Sequence, residues 1–146
     1  MKKYSQLLLG FAVILVGLLG ISSQAHAVTH YVQSSTPTIF VHGWGSSSHA
    51  EEKMANAARD AGVTKTIVRA NVDRKGKVTF NHQIPANAVN PIVEVNLEDN
   101  KLSAYQDDYT QGYHHGGGYV KNVVLALEKQ HHYKQINLVG HSMGNL

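Results

Sequence analysis

The sequence contains no cysteine, which excludes disulfide bonds and a lipid anchor attached through a cysteine thiol. It also has little excess charge of either sign outside its first 27 residues. Lys2 and Lys3 account for two of the 13 basic residues, and the remaining 11 exceed the 10 acidic residues by one. A nearly neutral domain gives no electrostatic reason to expect nucleic acid as a partner. No internal repeat or low-complexity linker divides the chain.

The first 27 residues are typical of a cleavable signal peptide. Lys2 and Lys3 precede an unbroken run of apolar residues and glycine at 7–21, which is shorter than the ~20 residues that a membrane span needs. Ala25 and Ala27 then supply small residues at the two positions that a signal peptidase reads. We therefore expect cleavage after Ala27, so that residues 28–146 are secreted or held at the cell surface. An uncleaved N-terminal anchor is the alternative.

The order of hydrophobic periodicities in residues 28–146 predicts a single domain of the α/β class. In chain order the predicted elements are a strand at 38–41, a helix at 50–61, a hairpin of strands at 66–72 and 77–82, a strand at 91–97, a loop at 107–118, a helix at 119–132 and a short buried strand at 136–139. In the strand at 91–97, apolar side chains alternate with Glu94 and Asn96. This alternation predicts one wetter face, as near a sheet edge.

Ser142 stands in the most specific motif of the chain, the G-x-S-x-G pattern at residues 140–144. This pattern is typical of a nucleophile elbow, in which the serine sits on a strained turn between a strand and a helix. Gly140 and Gly144 would let the strand and the helix approach each other closely. Because the motif follows a predicted strand, we predict Ser142 as a catalytic nucleophile. A plain glycine-rich turn is the alternative.

A second motif, His42-Gly43-Trp44-Gly45, ends the first predicted strand. An H-G-x-G turn at this place can direct a backbone N–H toward a developing oxyanion. We predict the amides of Trp44 and Met143 as the two oxyanion-hole donors, with Gly43 as a loop glycine that shapes the turn. Taken alone, the motif also fits a strand-ending turn with a buried Trp44. The elbow farther along the chain favours the catalytic interpretation.

The ten histidines raise the question of a metal site, which their spacing does not support. The two adjacent pairs, His114-His115 and His131-His132, would point apart on a helix or strand, and no carboxylate spacing completes a ligand set. Residues 115–118 spell H-G-G-G, an oxyanion-loop string in some esterases. This string precedes the helix that leads to the elbow strand, so we interpret residues 114–118 as a flexible loop. No metal or other cofactor is predicted.

Three segments carry a resemblance to a known family: PTIFVHGWG at residues 37–45, NPIVEV at 90–95 and NLVGHSMG at 137–144. Together they resemble secreted bacterial α/β-hydrolases, a largely uncharacterised group of cell-surface hydrolases similar to lipases and esterases. The resemblance implies an α/β-hydrolase fold, Ser142 as the nucleophile, and the amides of Trp44 and Met143 as oxyanion donors. It also implies a small-molecule or lipid ester as substrate and an association with the cell envelope.

The resemblance further implies an aspartate and then a histidine after the serine, and the sequence ends at Leu146 before either. We therefore expect an α/β-hydrolase fold that is truncated shortly after the elbow. Serine is a poor nucleophile without a neighbouring base, so this chain alone is expected to be inactive. The alternative is a catalytically inactive product or a surface-binding remnant. The sequence predicts no oligomeric state.

Overall fold

A five-stranded sheet forms the centre of the computed structural model, which describes residues 31–145 apart from the side chain of residue 131. The predicted signal peptide, residues 1–27, lies outside the described residues. The strands are β1 (Thr38–Val41), β2 (Ile67–Val72), β3 (Val78–Phe80), β4 (Ile92–Leu97) and β5 (Asn137–Gly140). They lie in the order β3-β2-β4-β1-β5, and all neighbours are parallel except β2 and β3, which form the predicted antiparallel hairpin.

Two helices cover the sheet, and each packs against its own set of apolar side chains. The longer one, α2 (Tyr109–His131), contributes Tyr119, Val123 and Leu127 to a core that also includes Ile39 of β1 and Val93 of β4. The shorter one, α1 (Glu52–Asp60), places Ala55 against Phe40 and Ile92 in a second, smaller core. Alternate residues of the strands thus enter two cores, which is an α/β layer arrangement. No helix within residues 31–145 is both long and apolar enough to cross a membrane.

The position of β4 contradicts the prediction of a wet strand near a sheet edge. β4 lies between β2 and β1, and Glu94 is only 5% exposed. The polar face is covered by charged partners instead of water: Arg69 of β2 lies with its Nη2 2.6 Å from Glu52 Oε1 and 3.8 Å from Glu94 Oε2. Burial nevertheless raises the pKa of the Glu94 carboxyl, because the charged form loses its hydration.

The start of α2 contradicts the predicted loop at 107–118, including the flexible loop assigned to His114–Gly118. Asp108 caps the helix by accepting a hydrogen bond from the Gln111 amide at 3.1 Å, and the helix then continues through all of the glycines. Glycine weakens a helix by roughly 0.5–1 kcal/mol per residue relative to alanine. The packing of α2 on the sheet outweighs that cost, since most helical stability in proteins comes from tertiary contacts.

The last strand confirms one part of its prediction and contradicts another. β5 forms in the predicted place, with Gly140 as its last residue, and pairs with β1 in parallel register. It is not buried, however: Leu138 is 47% and Val139 is 38% exposed, because within residues 31–145 only β1 lies beside it. The helix predicted at 50–61 is confirmed as α1. A 3₁₀ turn, Ser48–Ala50, precedes this helix, and Gly62, whose φ is +79°, follows it.

Candidate active site

The loops that follow β1 and β5 lie side by side, which brings the two sequence motifs together. The strands are parallel, with Val41 opposite Gly140, and the His141 amide continues the ladder by donating to the Val41 carbonyl at 3.0 Å. Both chains therefore leave the sheet at its carboxyl edge, where open α/β sheets place their ligands. The carboxyl end of β5 carries Ser142, and the carboxyl end of β1 carries the H-G-x-G turn.

Three glycines allow this close approach of backbone to backbone. A Cβ on Gly144 would collide with the Val41 carbonyl, and one on Gly140 would collide with the Gly144 carbonyl. A Cβ on Gly43 would lie 3.2 Å from both the His141 carbonyl oxygen and the Ser142 Cβ. The predicted glycines thus lie at the contact between the two loops, where any residue with a Cβ atom would be too large.

Ser142 occupies a strained backbone conformation at the surface. Its φ is +53°, in the left-handed region that non-glycine residues rarely adopt, and a 3₁₀ turn, Ser142–Asn145, begins at this residue. Strain of this kind costs of order 1–3 kcal/mol and is concentrated at functional sites. The side chain is exposed, and within residues 31–145 its hydroxyl has no hydrogen-bond partner. The turn matches the geometry that the G-x-S-x-G pattern predicts.

His42 holds the turn after β1 in place from inside the protein. It is fully buried, its Nδ1 donates to the Gly43 carbonyl at 2.8 Å, and its Nε2 accepts from the Leu97 amide at 3.1 Å. These partners fix the neutral tautomer with its proton on Nδ1. Burial lowers the pKa of His42, opposed by the Gly43 hydrogen bond and by the charge of Glu51. With both nitrogens engaged, His42 is a structural brace and is unable to serve Ser142 as a base.

The backbone amides of Trp44 and Met143 are both without an acceptor. Neither N–H donates to any group within residues 31–145, whereas the flanking Gly45 amide donates to the Asn100 carbonyl at 2.8 Å and the Gly144 amide to the His141 carbonyl at 2.9 Å. Met143 lies in the first turn of the 3₁₀ helix Ser142–Asn145, where backbone N–H groups have no partner inside the helix. Two unpaired amides, one on each of the adjoining loops, therefore form a pair of donors available to an added oxygen.

A cleft of about 770 Å³ opens beside these groups. Its lining residues are Trp44, Tyr109, Tyr113, Ser142, Met143 and Asn145. The Trp44 and Tyr109 ring centroids are 6.5 Å apart, and those of Tyr109 and Tyr113 are 6.4 Å apart. A cavity of similar size lies elsewhere, lined by residues including Thr36 and Tyr133, but none of the predicted site residues contributes to it. The first cleft is the one that joins the motifs.

Glu51 adds a buried carboxylate behind the elbow. Its side chain is 8% exposed, and its Oε1 has no hydrogen-bond partner within the described residues. That oxygen lies 3.9 Å from Nδ1 of His141, whose side chain is 70% exposed. His141 thus directs a nitrogen toward Glu51 and makes no hydrogen bond to the Ser142 hydroxyl. Within residues 31–145, no set of three or more histidine, cysteine, aspartate or glutamate side chains is grouped to hold a metal ion.

The sequence predictions missed Tyr109, Tyr113 and Glu51. The two tyrosines fell in the predicted loop, although Asp108 is a helix-capping residue type and the spacing of the tyrosines is that of one helical face. Recognising the cap would have placed both rings on one side of α2. Glu51 carries no such signal, since a glutamate near the start of a helix is normally solvated.

The family model for alpha/beta hydrolases of unknown function (DUF915) matches residues 25–146. The chain belongs to this family. No curated protein matches it. The sheet order and the loops at its carboxyl edge are the described part of an α/β-hydrolase fold, as the resemblance implied.

Two solved structures are similar to this α/β-hydrolase. The product of the gene lin2722 from Listeria innocua aligns with a TM-score of 0.61 and 25% sequence identity, over 76% of this chain and 41% of that one. A "putative cell surface hydrolase" from Lactobacillus plantarum aligns with a TM-score of 0.61 and 19% identity, over 75% of this chain and 42% of that one. The chain therefore spans about two fifths of the length of the solved structures that it matches.

Proposed function

We propose that this chain carries the nucleophile and the oxyanion hole of a secreted serine hydrolase that acts on an ester or a similar acyl bond. Ser142 is the nucleophile, and the amides of Trp44 and Met143 receive the negative charge that develops on the carbonyl oxygen. The observation that carries this proposal is the pair of amides without acceptors on the two loops that adjoin Ser142. Donors held in place before reaction are commonly the largest single contribution to acyl-transfer catalysis.

The general base and its orienting acid lie outside residues 31–145 in this proposal. His42 is buried with both nitrogens engaged, and His141 faces Glu51, so neither is placed to take the proton of the Ser142 hydroxyl. Loss of a triad member leaves only residual catalysis in the serine proteases. This chain is therefore expected to hydrolyse p-nitrophenyl acetate no faster than its Ser142→Ala variant in plain buffer.

Added imidazole tests the nucleophile independently of where the general base lies. Imidazole is small enough for the cleft beside Ser142 and is able to act as an external general base. We expect a rate increment that rises with imidazole concentration in the wild-type chain and is absent from Ser142→Ala, which also corrects for hydrolysis by imidazole itself. Equal rates for the two proteins at every imidazole concentration would leave a non-catalytic, surface-binding role as the better account.

The oxyanion donors are tested by removing one N–H. Trp44→Pro deletes the amide hydrogen, while Trp44→Ala keeps it and serves as the matched control for loss of the indole. Loss of one such donor is expected to lower the imidazole-supported, Ser142-dependent rate by about 10²–10³. Comparable rates for the two variants, with circular dichroism spectra like that of the wild type, would remove the Trp44 amide from the proposal.

Secretion is proposed on the leader sequence and on the description of the Lactobacillus plantarum neighbour as a cell surface protein. The expected mature form starts after Ala27 and works outside the cell, in association with the envelope.

A further inference from the structure

We propose that a groove along α2 binds a long, unbranched and uncharged acyl chain, whose carbonyl is thereby presented to Ser142. This inference rests on the proposed function and adds the substrate class. The groove begins at the cleft that contains Ser142 and Trp44, follows the exposed side of α2 past Tyr109 and Tyr113, and continues over Gly117.

Two adjoining cavities define the groove. The cleft at Ser142 includes Tyr109 and Tyr113. A second cavity of about 590 Å³ shares Tyr113 with it and is also lined by Thr110, His114, Gly117, Gly118 and Lys121. Tyr109, Tyr113, Gly117 and Lys121 follow one another at intervals of four residues, so they form one stripe along the helix. The stripe extends over about 18 Å at 1.5 Å per residue, which is long enough for an extended alkyl chain.

The lining selects an uncharged ligand. No charged side chain lines the cleft next to Ser142, and the titratable side chains along the rest of the groove are His114 and, at its far end, Lys121. Trp44, Tyr109 and Tyr113 remain 42%, 61% and 48% exposed, which leaves their rings free to contact a ligand. Burial of apolar surface against these rings is favourable, whereas a charged acyl group would lose hydration there without gaining a partner.

The ring orientations favour a flexible chain over a flat one. The planes of Trp44 and Tyr109 are inclined at 58° to each other, and those of Tyr109 and Tyr113 at 39°. Three rings tilted in this way offer no common plane on which a rigid aromatic acyl group could stack. An alkyl chain adjusts its torsions to follow each ring in turn.

The groove also explains the presence of Gly117 and Gly118 in the middle of α2. A Cβ added at Gly117 or Gly118 would meet nothing within 4 Å, so no packing contact in the described chain requires glycine at either position. Glycine there costs helix stability, as noted above for α2. The missing side chains deepen the groove at the point where the chain of a long acyl group would pass.

The test measures binding in the full 146-residue chain carrying Ser142→Ala, so that it does not depend on catalysis. Trp44 is the only tryptophan, and its fluorescence reports occupancy of the cleft. The probes are straight-chain primary amides from acetamide to decanamide, with benzamide as the planar probe and decanoate as the charged one. Affinity is expected to rise about twofold to fourfold per added methylene, and to be weaker for benzamide and decanoate than for decanamide.

A filled groove supplies the second arm. Gly117→Leu places a side chain in the groove and is expected to weaken decanamide binding by about tenfold or more while leaving butanamide within about twofold. Lys129→Leu, at an exposed position on the same helix, is the matched control and is expected to change neither. Gly118→Leu repeats the test if Gly117→Leu perturbs the helix, which circular dichroism would reveal.

Several results would overturn the proposal. Affinity that does not depend on chain length, equal binding of benzamide and decanamide, or a Gly117→Leu variant that weakens all amides alike would each do so. A concentration-dependent dimer that Gly117→Leu dissociates, without amide binding, would instead identify the groove as a contact between copies. Because these measurements use Ser142→Ala, they are separate from the imidazole experiment, which alone tests the nucleophile.

Discussion

Two Gly→Ala substitutions are expected to change stability in opposite directions, although the added methyl group is the same. In Gly144→Ala the new Cβ would collide with the Val41 carbonyl oxygen, and it would lie 2.8 Å from the Val41 carbonyl carbon and 3.0 Å from the His42 carbonyl oxygen. In Gly117→Ala it would meet no atom within 4 Å. The contrast isolates the backbone contact from the chemistry of the change.

The structure sets the size of the effect at Gly144. Val41 is fully buried in a strand with neighbours on both sides, so it is unable to recede without disturbing the sheet. Overpacking typically costs about 1–3 kcal/mol. The shift would also weaken the bond from the His141 amide to the Val41 carbonyl, which contributes about 1 kcal/mol. We therefore expect Gly144→Ala to lower the free energy of unfolding by about 2–4 kcal/mol.

At Gly117 only the helix preference changes. Replacing a helical glycine by alanine at an open position stabilises by about 0.5–1 kcal/mol. For a domain of this size, 1 kcal/mol corresponds to a change in melting temperature of roughly 4 °C. Gly144→Ala is then expected to melt about 8–16 °C below the wild type and Gly117→Ala about 2–4 °C above it.

Thermal unfolding followed by circular dichroism, supported by urea midpoints, measures both variants under one set of conditions. If Gly144→Ala melted within about 2 °C of the wild type, the close approach of the elbow to β1 would be wrong, since overpacking of this kind has no other relief. If Gly117→Ala were the less stable of the two, an unseen contact at α2 would have to be invoked.

Three further outcomes are expected. Because burial lowers the folded-state pKa of His42, the contribution of His42 to stability is complete above about pH 6.5 and falls as the pH decreases through that value. Urea midpoints at pH 7.5 and 5.5 measure this loss of stability. The His42→Asn variant should lose less stability over the same range, which separates the effect of His42 from the opposing effect of the raised pKa of Glu94. Glu51→Gln removes a negative charge that raises the pKa of His42, so NMR titration should find that pKa lower still, and an unchanged value would place the carboxylate elsewhere. Intact-mass analysis of exported protein should find Val28 as its first residue, and retention of Met1 would contradict cleavage after Ala27.

The sequence predicts those parts of the fold that depend on short-range patterns. The strands that precede the two glycine motifs, and the hairpin, follow from residues close together in the chain, and each forms where it was expected. The start of α2 was missed because glycine-rich composition was given more weight than the Asp108 cap. Residues 109–118 are helical because the whole of α2 packs against the sheet, and amino-acid composition does not reveal that packing.

Other features depend on partners far away in the sequence. Glu94 is buried beside Arg69 of the neighbouring strand, which also pairs with Glu52 of α1, and no local pattern identifies those partners. His42 acts as a brace because the Leu97 amide lies opposite its Nε2, a contact across 55 residues. The sequence motifs identify Trp44 and Met143 as candidate oxyanion donors. Only the folded loops show that neither backbone amide has an acceptor within residues 31–145.

The pairing of β5 with β1 also bears on how the protein folds. Thr38 and Asn137, which face each other at the start of this pairing, are 99 residues apart in the chain. Contacts of such long sequence separation carry a large loop-closure entropy and form slowly. Until they form, Ser142 and the turn after β1 belong to separate parts of the chain. The arrival of Ser142 in the cleft that contains Trp44 would therefore report on the final closure of the sheet, and the fluorescence of Trp44, the only tryptophan, would follow that step during refolding.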